Sequence, residues 1–194
     1  MTKAILVVDM LNDFVQEDGK LPVPGAQTLV ENIGRIRGTA GEYDVFVVYA
    51  NDAHTEDDPE FKAWPPHCVK GTYGAEVVEE LKPKEGDLVI PKQDLSVFTN
   101  KEAERLLRER GVDELYVTGV ATEYCVRGAA LDALAKGYKV NLVVDAIAGV
   151  DEIKLPDGTV VPETKGAVNR ALLEMGNAGA RPVYTAKVLE ELVK

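Results

Sequence analysis

Apolar residues gather in six short runs along the chain, at residues 4–8, 45–49, 88–90, 115–118, 140–144 and 182–184. Most of these runs show no polar alternation. Strands that are covered on both faces read this way, and such strands belong to parallel sheets flanked by helices. Between the runs, apolar residues recur at helical spacing. Residues 26–36 place Leu29, Ile33 and Ile36 on one stripe. Residues 101–110 carry Ala103, Leu106 and Leu107 and stop at Gly111. Residues 124–136 carry Val126, Ala130, Leu131 and Leu134 and stop at Gly137. Glycine just past the last periodic residue is a helix stop signal. Further helices are predicted at 164–175 and 186–193. This alternation predicts an α/β fold, a three-layer α/β/α sandwich around a mostly parallel central sheet of about six strands.

Two stretches break the rhythm. Residues 51–86 are rich in Asp, Glu, Pro and Gly, and loops of that length in compact domains are usually functional. Residues 150–163 contain Asp157-Gly158 between apolar runs, which predicts a small β-hairpin excursion. No repeat, low-complexity tract or linker divides the chain, so one domain over residues 1–194 is expected.

Composition narrows the partners. The chain has 194 residues, 45% of them hydrophobic, enough to bury a core without staples. Two cysteines cannot supply a disulfide framework, so Cys68 and Cys125 read as free thiols in a reducing compartment. The formal net charge is −11, with 22 Lys+Arg against 33 Asp+Glu. An acidic chain repels phosphate backbones, so nucleic acid and anionic membranes are poor partners. The apolar opening AILVV is too short for a secretory core, and no apolar run approaches the ~18 residues of a membrane span. The cytoplasm is the expected location.

Ligands of open α/β sheets bind beyond the carboxyl ends of the strands. The reactive residues at those ends are Asp9 after the first run, Asp52 and His54 after the second, Lys92 after the third and Cys125 after the fourth. Cys125, at the predicted start of a helix, is a candidate nucleophile. A helix N-terminus and a nearby cation such as Lys92 both lower a thiol pKa. Asp9 can accept the thiol proton and return it to a leaving amine. Backbone N–H groups at Ala121 and Cys125 can form an oxyanion hole. Taken singly, each residue also has a plain reading, since a lone Cys is often a small core residue and an Asp after a strand is often a cap.

A second group is Asp52, His54 and His67. Both histidines of the chain fall in the one long loop. Two imidazoles and a carboxylate suit Zn²⁺, Fe²⁺ or Mn²⁺, and Glu60, seven residues before His67, can complete the site. Two histidines can also share a loop by chance. Cys68 follows His67 directly and should point away from whatever His67 faces, which favours a structural role. Phe14 and Trp64 are the aromatics closest in sequence to the chemistry and serve either as core or as a slot for a flat ring.

These residues resemble the isochorismatase-like cysteine hydrolases, and within them the nicotinamidase (pyrazinamidase) branch. VVDMLNDF is similar to the family opening, in which an Asp, here Asp9, ends the first strand, and an Asp-Phe pair follows, here Asp13 and Phe14. The lysine after the third strand corresponds to Lys92, and GVATEYCV to the nucleophile segment with Cys125. The resemblance implies a cis peptide bond at Val120–Ala121 that turns the Ala121 N–H toward the substrate oxygen. NDAH and WPPHC resemble the metal segments of nicotinamidases, with Asp52, His54 and His67 as ligands and Glu60 matching a fourth ligand used by some members. The segment between His54 and His67 is short, it lacks a further His that some members carry, and the 150–163 excursion is atypical.

The resemblance implies a fold of isochorismatase-like type and hydrolysis of nicotinamide to nicotinate and ammonia through a Cys125 thioester. It implies one divalent transition metal, zinc first and iron or manganese next. It implies a pyridine ring held between Phe14 and Trp64, a role in pyridine nucleotide salvage, and a homo-oligomer. An alternative is another small-amide cysteine hydrolase acting on a carbamoyl or maleamate-type amide, for which no metal is needed. A non-catalytic binding module or thiol redox sensor would not need Asp9, Lys92 and Cys125 together.

Overall fold

A computed structural model describes residues 2–43, 45–151 and 164–194. Six strands form one sheet: β1 (Thr2–Val8), β2 (Phe46–Asp52), β3 (Leu88–Lys92), β4 (Val112–Gly119), β5 (Lys139–Ile147) and β6 (Arg181–Val183). Their order is β3-β2-β1-β4-β5-β6, and every neighbouring pair is parallel. The expected sandwich is thus present, and the sheet is wholly parallel.

The helices are α1 (Asn12–Val15), α2 (Ala26–Glu42), α3 (Lys101–Glu109), α4 (Arg127–Ala135), α5 (Ala167–Asn177) and α6 (Thr185–Leu192). Successive strand residues face opposite sides, and β1 shows the consequence. Ile5 and Val7 join a core with Leu29, Ile33 and Ile36 of α2 and Val188 of α6. Ala4, Leu6 and Val8 join a second core with Leu107 of α3, Ala130 of α4 and Met175 of α5. Both faces are covered, which is why the run at 4–8 is apolar without alternation. Each of the fully buried Leu and Ile side chains contributes about 1.5–3 kcal/mol by leaving water.

Several boundaries differ from the sequence reading; α4, expected over 124–136, begins only at Arg127, behind a separate turn at Thr122–Val126 that holds Cys125. Helix α2 continues to Glu42, because Ala40 extends the buried stripe while Gly38 and Gly41 are tolerated on its outer side. Helix α5 starts at Ala167, after Gly166 turns the chain in a left-handed conformation (φ 71°). The single turn α1 is too short for periodicity to reveal. The hairpin expected within 150–163 lies almost wholly outside the described residues. Among the described residues, no helix is long and apolar enough to cross a membrane.

The order reverses direction between β1 and β4, and the crevice at such a switch point is where parallel sheets place ligands. Gly119 closes β4 beside Val8, with φ 103°. A Cβ at this position would fall 1.9 Å from the Val8 carbonyl oxygen. Only glycine therefore lets β4 run into the segment that carries Cys125.

Candidate active site

The strand ends bring Asp9, Asp52, Lys92 and Cys125 together. Asp52 and Lys92 are register partners on β2 and β3. The alternation of β3 buries Ile90 and Lys92 while Val89 and Pro91 face outward. Lys92 Nζ lies 2.8 Å from Asp9 Oδ2 and 3.3 Å from Cys125 Sγ, and it donates to Asp52 Oδ1. Asp9 lies just past β1 in a left-handed conformation (φ 50°), with its N–H bonded to the Ala50 carbonyl at 2.9 Å. Backbone strain in non-glycine residues is held only where surrounding bonds fix it, and such sites cluster at functional centres. Asp9 Oδ1 accepts the Asp52 N–H at 2.7 Å. Its Oδ2 faces the Lys92 ammonium.

The electrostatics set the protonation states. Burial and the Asp52 charge push the Asp9 carboxyl up to about 6, with Lys92 opposing them. Burial would lower Lys92, but Asp9, Cys125 and Asp52 outweigh it and hold the ammonium charged. For Cys125 the sequence reading expected a lowered pKa. Instead, burial and the Asp9 carboxylate push the thiol up against the pull of Lys92. The site thus sets a buried thiol, a carboxylate and an ammonium side by side at the carboxyl end of the sheet.

Cys125 stands in a five-residue π turn, Thr122–Val126, that leads into α4. Its sulfur lines a mostly apolar cavity of 310 Å³ shared with Asp9, Phe14, Trp64, His67 and Ala121. The Val120–Ala121 bond is cis. Phe14 and Trp64, ambiguous in the sequence, both face this cavity. The sequence reading missed Tyr124, whose ring meets Trp64 edge-on at 5.8 Å, and Leu95, both of which line this cavity. Tyr124 directly precedes the nucleophile candidate, which is the one signal that would have found it. The other cysteine, Cys68, is 0% exposed and burial pushes its thiol up, so it is closed to the cavity.

Asp52, His54 and His67 also converge, with one ligand atom from each within 4.8 Å of the others. His54 Nδ1 pairs with Asp58 Oδ2 at 3.0 Å, and His67 Nδ1 with the Pro65 carbonyl at 2.8 Å. Both rings therefore keep Nε2 for the shared space. His54 Nε2 lies 3.7 Å from Asp52 Oδ2, close to the edge of a tetrahedral site, about 3.4 Å for bonds near 2.1 Å. It is buried without a hydrogen-bond partner. A buried unpaired nitrogen is costly unless something fills the gap, and a divalent cation fits this donor set. Glu60 stands at the solvent edge, with Oε1 3.9 Å from His67 Nε2 and the side chain 33% exposed. Asp58, which the sequence reading did not single out, orients His54 in the way that carboxylates orient metal-binding histidines. Asp52 joins the two groups, one carboxylate oxygen turned to Lys92 and the other to His54.

A model of the Isochorismatase domain matches residues 3–155. The chain is 35% identical over 164 residues to the nicotinamidase/pyrazinamidase of Mycobacterium tuberculosis, across 76% of this chain and 87% of that one. The structure of the pyrazinamidase of Pyrococcus horikoshii in complex with zinc matches with a TM-score of 0.82 and 34% identity, covering 95% of this chain and 99% of its own. N-carbamoylsarcosine amidase from Thermoplasma acidophilum matches with a TM-score of 0.79 and 32% identity, covering 95% and 97%. With that family match spanning most of the chain, and with the strand order and the gathered carboxyl-edge residues in agreement with it, the protein belongs to the isochorismatase domain family.

Proposed function

We propose that the protein is a metal-containing cysteine amidohydrolase that converts nicotinamide to nicotinate and ammonia. One observation carries this reading. The Cys125, Lys92 and Asp9 group opens into the same cavity as His67 and Asp52 of the histidine-rich donor set, and Asp52 belongs to both. A simple amide needs only the first group. A substrate with a ring nitrogen uses both.

Asp52, His54 and His67 would hold the ion, with Glu60 as the fourth protein ligand. When bound, a divalent ion, with zinc the best match to two imidazoles and a carboxylate, supplies a positive centre that orients a pyridine nitrogen and draws electrons from the ring. Phe14 and Trp64 bracket the ring, and the carboxamide carbon comes to rest beside Cys125 Sγ. Asp9 Oδ2 takes the thiol proton as the sulfur attacks that carbon. Lys92 steadies the thiolate, and the N–H groups of Ala121 and Cys125 receive the developing oxyanion. As the C–N bond breaks, Asp9 gives its proton to the departing nitrogen, and ammonia leaves a thioester on Cys125. Asp9 then removes a proton from the incoming water, whose oxygen attacks the thioester carbon. The C–S bond breaks, nicotinate departs, and the proton on Asp9 restores the thiol.

The test is ammonia release from nicotinamide by purified protein, with metal content measured on the same sample. Turnover of nicotinamide with about one bound metal per chain is expected. Ammonia released only from carbamoyl or maleamate-type amides, by protein that takes up no metal, overturns the reading in favour of a metal-free amidase.

A further inference from the structure

The sequence places Asp13 beside Phe14, yet the chemistry above leaves it without a task. Asp13 lies on α1 and is 7% exposed, with its carboxylate turned into the protein. Oδ2 accepts the Cys68 N–H at 2.7 Å and Oδ1 accepts the Lys20 N–H at 3.1 Å. No ion pair reaches it among the described residues. The packing on it is close, since a Cβ at Gly74 would fall 2.1 Å from Oδ2. A buried carboxylate satisfied by backbone donors makes the stronger, charge-assisted kind of hydrogen bond.

Its partner is an unusual residue. Cys68 has φ 47°, the left-handed region that favours glycine. Its carbonyl accepts the His54 N–H at 3.1 Å, and the His54 carbonyl accepts the Lys70 N–H at 3.0 Å. His67 directly precedes it, and the two imidazole rings stand 4.9 Å apart. The Cys68 backbone is thus bonded to Asp13 through its N–H and to His54 through its carbonyl, while its own chain direction sets His67.

We propose that Asp13 is a positioning residue for the two histidines: its carboxylate holds Cys68 in the left-handed conformation that sets His67 against His54. Without that acceptor the Cys68 backbone relaxes toward an ordinary φ, and the His67 ring turns away from the shared space. The proposal rests on the metal reading above, and its test separates the two.

Metal-free parent and Asp13→Asn proteins are titrated with Zn²⁺ against a competing chelator, and the visible spectrum of the Co²⁺ forms is recorded. An amide keeps the size of the side chain but turns an N–H group or a weaker acceptor toward Cys68. Zinc affinity is expected to fall about tenfold to a hundredfold, as for other groups that orient metal ligands. The Co²⁺ bands should shift or weaken, while circular dichroism of the metal-free protein stays as in the parent. Glycine adopts φ 47° unaided, so the double variant Asp13→Asn/Cys68→Gly is expected to regain most of the affinity and the parent Co²⁺ spectrum. If Asp13→Asn proves unfolded, the double variant alone decides, and zinc binding near the parent value supports the proposal. A folded Asp13→Asn with parent affinity and spectrum overturns it, and so does a folded double variant with no recovery. Failure of both to fold also overturns it, by placing Asp13 in the stability of the whole chain. Parent protein that takes up no zinc overturns the metal reading and this proposal with it.

Discussion

Gly119→Ala should be among the most damaging single substitutions outside the reacting groups, and its cost follows from the structure. The added Cβ would meet the Val8 carbonyl oxygen at 1.9 Å, where real contacts are never under 3.0 Å. The β4 end must retreat by more than about 1 Å, or β1 must. The Val120 N–H bond to Val8 at 2.9 Å and the Ala148 N–H bond to Gly119 at 3.2 Å cannot both survive that retreat intact. Losing them costs about 1 kcal/mol each, and a non-glycine residue near φ 103° costs about 1–3 kcal/mol more. The total is about 4 kcal/mol, read as a lower urea midpoint at unchanged slope. The same shift moves Cys125 relative to Asp9 and Lys92, so amide turnover should fall about a hundredfold in whatever protein remains folded. A loss under about 1 kcal/mol would refute the reasoning, because it would mean the strand junction yields without breaking bonds.

The remaining expectations address the thiols, the metal and a buried acid. Cys125→Ala should abolish ammonia release while zinc binding and melting temperature stay near the parent values, whereas Cys68→Ala keeps turnover. Mass spectrometry after brief iodoacetamide treatment should find the label on Cys125 alone, and label on Cys68 would contradict the burial argument. Adding zinc at about a hundred times its dissociation constant should stabilise the metal-free protein by about 2.7 kcal/mol, read as a higher melting temperature. His54→Ala should erase that shift, and a shift that survives would move the metal elsewhere. Burial holds the Glu123 carboxyl above its usual range, so ionising it opposes folding. The penalty is absent below the unfolded-chain pKa of about 4.3, where both states are protonated, and grows as pH rises through the higher folded value. The stability of Glu123→Gln relative to the parent should therefore rise as pH increases above about 4 in urea titrations, and a flat or falling difference there would count against it.

Much of this molecule was legible in the order of its residues. An apolar run without alternation, such as 4–8, is a local property, and burial on both faces is the only environment that suits it. Glycines at 111 and 137 end helices by backbone freedom that needs no partner. Asp9, Lys92, Cys125 and the histidine pair were visible because reactive residues at strand ends stand out against an apolar background. What joins them was not visible. Asp52 serves both groups because β2 and β3 pair in one register, and no residue near it in sequence encodes that register. The Cys125 thiol is pushed up rather than down because folding buries it beside Asp9, and desolvation is a property of the packed interior, not of the helix start. Asp13 reaches Cys68 only after the long loop folds back across the sheet edge. Periodicity and spacing act within a few residues of chain, and they determined the elements and the candidate chemistry. Distances, unpaired atoms and shifted protonation states depend on neighbours far apart in sequence, so only the tertiary structure decided them.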